Sequence, residues 1–136
     1  MTRFEKEYFQ PLDFTGEQIQ RYWDSASRDF EIAEKDAFRE VKFSYAYQAL
    51  IKTGIALLAK AGKVKVRSVP GHHIKILEKV SALLKDPDVL TIGNVMRMKR
   101  NQDLYSGGEF ISDKEAEDYL KFVARVMVKA RRRILS

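Results

Sequence analysis

Phe43-Ser44-Tyr45-Ala46-Tyr47-Gln48-Ala49-Leu50-Ile51-Lys52-Thr53-Gly54-Ile55-Ala56-Leu57-Leu58-Ala59-Lys60-Ala61-Gly62 decides the fold. Phe43, Ala46, Tyr47, Leu50, Gly54, Leu57, Leu58 and Ala61 recur at three- and four-residue steps, the period of an α-helix with one buried face. Tyr45, Ile51 and Ile55 widen that face, so the segment predicts the central and most buried helix of the chain. Gly62 is expected to end it, because glycine accepts the left-handed conformation at a helix C-terminus.

The flanking segments read as helices that pack on this one. Upstream, Thr15 is an expected N-cap for a run in which Ile19, Tyr22, Trp23, Ala26, Phe30 and Ala33 keep helical spacing. Residues 1–14 are aromatic-rich, lack a sustained period and contain Pro11. They predict an extended arm that lays Phe4, Tyr8, Phe9 and Phe14 on the body. Downstream, Lys63 to Val69 alternates basic and apolar residues, but no partner strand stands out in the sequence, so a basic loop is expected. After a turn at Pro70-Gly71, a third helix places His73, Ile76, Leu77, Val80, Leu83 and Leu84 on one face. Asp86-Pro87 stops it, since the residue before proline disfavours helical backbone. Asp88 is expected to cap a fourth helix that runs to about Leu104 and ends in Gly107-Gly108. Ser112-Asp113-Lys114-Glu115 is a capping box for a fifth, with a stripe of Ala116, Tyr119, Leu120, Val123, Val126, Met127, Ala130 and Ile134. The fold class is therefore all-α, an up-and-down bundle of four to five helices with residues 15–136 as a single domain.

Composition removes several chemistries. The 136 residues contain no cysteine, which excludes disulfides, thiolate nucleophiles and cysteine metal sites. His72 and His73 are the only imidazoles and would point about 100° apart on a helix, so neither a metal nor a cofactor is expected. Arg3, Glu5, Lys6 and Glu7 precede any apolar stretch, and no apolar run approaches the roughly 20 residues of a membrane span. A cytoplasmic location without membrane attachment is expected. The formal net charge of +6 is unevenly spread. Residues 1–40 hold six Lys/Arg against ten Asp/Glu, leaving nineteen against nine for residues 41–136. Such asymmetry suits an anionic partner, or equally one half of the fold pairing with the other.

The densest chemistry lies in Arg97-Met98-Lys99-Arg100-Asn101-Gln102-Asp103-Leu104-Tyr105-Ser106-Gly107-Gly108. Arg97, Asn101 and Tyr105 follow at i, i+4 and i+8 with Arg100 beside them, while Val89, Ile92 and Met96 occupy the adjacent face. Two readings stand: a phosphate-binding face, or an exposed helix end where cations meet the helix dipole. Gly93, near the same face, suggests close approach of a second subunit's helix. For His73, which shares a stripe with Leu77 and Val80, the reading is a satisfied hydrogen bond at a helix start. The stripe Lys121, Arg125, Lys129, Arg132, Arg133 reads as a solvated face rather than an RNA track.

The order of these parts, a central helix with Tyr47-Gln48-Ala49-Leu50, a Gly71-His72-His73 turn, then Arg97-x-x-Arg100-Asn101-x-x-x-Tyr105 and a glycine loop before the last helix, resembles the HEPN superfamily over residues 15–135. The resemblance implies a small helical bundle that acts as a homodimer in a toxin–antitoxin or defence system, often with a nucleotidyltransferase as partner protein. It also implies RNA or nucleotide binding by a metal-independent endoribonuclease whose motif is Arg, Asn and, four to six residues on, His. Arg100 and Asn101 match, and the histidine position is Tyr105. By that resemblance Arg100, Asn101 and Tyr105 are the catalytic candidates, with Arg97, Lys99 and Arg100 for phosphate; Asp103, and His72 if the start of the third helix approaches Tyr105, are accessory candidates. Tyrosine, with a reference pKa of about 10, suits proton abstraction poorly at neutral pH, which points to a degenerate enzyme. The alternative expectation is a non-catalytic module that binds a companion protein.

Overall fold

The computed structural model describes the backbone of residues 2–106 and 111–135, and their side chains apart from those of 103–106. Its elements are β1 (Phe9–Pro11), α1 (Gly16–Lys35), α2 (Arg39–Leu57), β2 (Val64–Val66), α3 (His72–Leu84), α4 (Pro87–Ser106) and α5 (Asp113–Ile134). The result is an all-α bundle of five helices with one small two-stranded ribbon. No described helix is long and apolar enough to cross a membrane.

Helix α2 is the axis. Phe43, Ala46, Tyr47, Leu50, Ala56 and Leu57 are all at most 2% exposed, because α1 and α5 pack along it and the α3–α4 pair closes a further side. Reciprocal caps fix where α1 and α5 begin. Thr15 Oγ1 accepts from the Gln18 N–H at 3.1 Å while the Thr15 N–H donates to Gln18 Oε1 at 2.8 Å. Ser112 and Glu115 repeat the arrangement at 3.1 Å in both directions. Each exchange satisfies two donors that a helix start otherwise leaves orphaned.

Four sequence expectations are corrected. Lys63 to Val69 is not merely a loop: β2 pairs antiparallel with β1, Phe9 opposite Val66, Gln10 opposite Lys65 and Pro11 opposite Val64. The partner strand is the arm itself, three residues too few to show a period. Gly62 is not the left-handed cap either. The end of α2 widens into a π-turn over Leu58–Gly62, and Lys63 takes the left-handed conformation at φ 51°, its N–H donating to the Leu58 carbonyl. Gly62 instead leaves room for the Phe4 ring, 2.7 Å from where a Cβ would stand. Asp86 rather than Asp88 caps α4: its Oδ1 accepts the Asp88 N–H at 3.2 Å, and Pro87 occupies the first helical position, where a missing N–H costs nothing. Lastly, Gly93 faces α3, not a second subunit. A Cβ there would stand 2.8 Å from Leu77 Cδ2, and one on Gly54 would stand 2.5 Å from Ile76 Cγ2. These two glycines let α3 lie close against α2 on one side and α4 on the other.

The arm holds α3 as well. Phe9 is 1% exposed, with Phe4 edge-on at 5.2 Å, and the Tyr8 carbonyl accepts the Arg67 N–H at 2.7 Å. Glu5 meets both Lys79 and Lys75 on α3. Hydrogen bonds from Lys79 and then Lys75 hold its carboxyl down at about 2. At the opposite end of α3, Asp86 is 6% exposed and its Oδ2 accepts from Arg125 at 2.6 Å and Lys129 at 3.0 Å. Burial alone would raise the Asp86 carboxyl, but Lys129 and Arg125 reverse this and hold it below its ordinary value.

Candidate functional site

The short turn at Lys85-Asp86 makes α3 and α4 antiparallel neighbours, so the first turn of α3 lies beside the last described turns of α4. Between them opens a cleft of about 370 Å³, walled by Ser68 to His73 on one side and by Arg97, Arg100 and Asn101 on the other. Three of the residues singled out in the sequence meet there, and His72 faces them.

Each side chain has a local reason for its place. Arg97 Nε donates to Asn94 Oδ1 at 2.9 Å, one turn back on α4. The Arg100 guanidinium stands 5.4 Å over the ring of buried Tyr47. Neither arginine has a carboxylate in ion-pair range among the described residues. The Tyr47 hydroxyl and His73 Nδ1 share a hydrogen bond of 2.9 Å. Burial pushes the phenol up to about 12, against the pull of Arg100 and Arg97. Burial, then the charges of His72, Arg100 and Arg97, holds His73 down at about 4. At neutral pH the phenol therefore keeps its proton and donates to a neutral imidazole, so His73 satisfies a hydrogen bond at the helix start and braces the cleft from below.

His72 is built differently. Its Nδ1 lies 2.7 Å from the Val69 carbonyl oxygen. A carbonyl can only accept, so Nδ1 carries the proton and, in the neutral ring, Nε2 carries the lone pair. The His72 ring sits edge-on to that of His73 at 4.4 Å. Among the described residues Nε2 has no hydrogen-bond partner.

Lys99 does not join the cleft. Its Nζ lies 3.2 Å from the Glu115 carboxylate on α5, as two residues of helix, about 200°, turn it away from Arg97. The side chains of Asp103 and Tyr105 and the loop residues Gly107 and Gly108 lie outside the described residues. No three His, Asp or Glu side chains converge as a metal-binding group among the described residues.

The chain matches no family model, no curated protein and no solved structure. Its chemistry rests on the cleft itself. Two guanidiniums with no described carboxylate partner, beside the positive end of α3, favour an anion, and Arg suits phosphate because its planar fork matches two oxygens at once. An imidazole whose tautomer is fixed by a backbone carbonyl can take a proton from a hydroxyl held against that anion.

Proposed function

We propose that the protein is a HEPN-like RNA- or nucleotide-phosphate-binding protein whose α3–α4 cleft cleaves RNA without a metal, acting as a homodimer in a toxin–antitoxin or defence setting in the cytoplasm. One observation carries the reading: His72, its Nδ1 tied to Val69, lines one cleft with Arg97, Arg100 and Asn101. The resemblance expects an imidazole at the position of Tyr105, and we assign that role to His72, which lines the cleft from another helix.

In the proposed reaction the 2′-hydroxyl gives its proton to His72 Nε2 as its oxygen bonds to phosphorus. The bond from phosphorus to the 5′-oxygen then breaks, and the proton returns to that leaving oxygen. Arg97 and Arg100 stabilise the charge that builds on the phosphoryl oxygens, an electrostatic contribution that a site shielded from bulk water strengthens. Asn101 can hold a phosphoryl or ribose oxygen. The test is RNA incubated in EDTA between about pH 6 and 9, the range in which imidazole commonly acts as acid or base. Wild type should cleave, while His72→Asn should lose about 10²- to 10⁴-fold in rate yet keep RNA affinity. Arg100→Ala should lose both. Intact cleavage in His72→Asn would remove the imidazole from the mechanism.

A second reading keeps the chain as a recognition module for a companion protein such as a nucleotidyltransferase. It is favoured by a groove of about 340 Å³ between α4 and α5, lined by Ile92, Val95, Tyr119 and Phe122, beside exposed Val95 and Met98. Stoichiometric copurification of one protein, lost in Val95→Glu, would support it.

A further inference from the structure

We propose that the outward face of β2 is an entry track for single-stranded RNA, in which Lys63, Lys65 and Arg67 hold successive phosphates of a strand whose reacting phosphate lies in the α3–α4 cleft. This rests on the reading of that cleft as a phosphate site.

The alternation that makes β2 a strand sorts its side chains. Val64 is buried and Val66 half-buried against the body, while Lys65 and Arg67 are exposed; Lys63, also exposed, leads into the strand through its left-handed backbone. Side chains on one face of a strand repeat at about 6.6 Å, comparable to the phosphate step of an extended single strand. The chain then passes straight from Arg67 into Ser68 and Val69, which wall the cleft. The track and the site are thus continuous in backbone, and the Val69 N–H is bonded to the Arg67 carbonyl at 3.0 Å.

Several cations elsewhere in the protein have a carboxylate of their own. Arg125 and Lys129 share Asp86, Lys75 and Lys79 share Glu5, and Lys99, Lys52 and Lys114 each meet a carboxylate. Lys63 and Lys65 have no carboxylate in ion-pair range among the described residues, and the residue opposite Lys65 on β1 is the neutral Gln10. Arg67 is held by its Nε donating to the Lys6 carbonyl at 3.0 Å, which orders a cation at the cleft mouth without neutralising it. The other account of lysines on a short exposed strand is protection against edge-to-edge aggregation. That account requires neither continuity with an anion site nor an ordered arginine.

The probe is a fluorescent 2′-O-methyl oligonucleotide, which binds but cannot be cleaved, in a dinucleotide and a twelve-nucleotide form, with affinities read by anisotropy from about 50 to about 300 mM salt. The long strand should bind wild type more tightly than the dinucleotide. In Lys63→Gln/Lys65→Gln it should weaken about tenfold near 0.15 M salt, and the log–log salt slope should flatten by about 1.4, roughly 0.7 for each phosphate that is no longer neutralised. The dinucleotide should be unaffected, and Lys63→Arg/Lys65→Arg should restore the slope. Equal slopes for wild type and the glutamine variant, or a variant that only self-associates, overturns the track. Displacement of the strand by polyglutamate as readily as by RNA also overturns it, in favour of an acidic protein. Arg100→Ala separates the failures: if it weakens both probes while the glutamine variant is silent, only the track is wrong, and if it weakens neither, the cleft reading falls first.

Discussion

Two clusters of cations sit at opposite ends of α3, and they are organised in opposite ways. At the Asp86 corner, Arg125 and Lys129 converge on one buried carboxylate that also caps α4. At the α3–α4 cleft, Arg97 is held by the Asn94 amide and Arg100 stands over the Tyr47 ring, with no carboxylate in ion-pair range of either among the described residues. The residue types are alike, but the charge balance is not. A buried or half-buried cation cluster with its own anion is a structural joint, whereas one without it leaves its charge available to an anion from outside.

The largest test of this contrast is Asp86→Ala. It strands Lys129, leaves Arg125 only its longer contact with exposed Asp88, and uncaps α4, so it should cost about 3 kcal/mol and lower Tm by about 10 °C in a thermal melt. A change under about 1 kcal/mol would mean that the corner holds nothing together.

Acid should separate the regions next. His73 falls from 6.5 to about 4 on folding, so the unfolded chain takes up a proton first. The stability that a neutral His73 permits is whole above about pH 6.5 and is lost as pH falls toward 4, a loss of up to about 3 kcal/mol. Glu5, lowered from 4.5 to about 2, withdraws its contribution only below about pH 4.5, and Asp86 likewise in that acidic range. Urea unfolding at successive pH values should show the first loss in wild type and not in His73→Asn. An identical decline in both would detach the cleft from the upper window.

The smallest expected effect is that of Arg100→Ala on stability. It removes a cation stacked on Tyr47, worth about 0.5–1 kcal/mol, while relieving repulsion from Arg97, so the Tm should move by only a few degrees. A loss as large as that from Asp86→Ala would make the cleft a second structural joint.

The helices were legible because long periods and capping boxes are local. Phe43 to Leu57, Thr15-x-x-Gln18 and Ser112-x-x-Glu115 all state their structure within a few turns. The ribbon was not, since β1 is three residues long and its partner lies more than fifty positions away. At the site, the common face of Arg97, Arg100 and Asn101 followed from helix geometry, and the same geometry turns Lys99 away from it. His72 and the Tyr47–His73 bond depend on which helix ends meet, a tertiary fact that no single periodic segment contains. Gly93 misled for a related reason: a missing side chain announces close approach but not by whom.

That close approach has a consequence for anyone wishing to engineer the protein. Replacing helical glycines by alanine is a routine route to thermostability, yet here Gly54 and Gly93 act as the gauge blocks that set the distance of α3 from both neighbours. An alanine library screened only for melting temperature would therefore retune the width of the cleft unseen, and its hits at these two positions should be sorted by cleft geometry before they are sorted by stability.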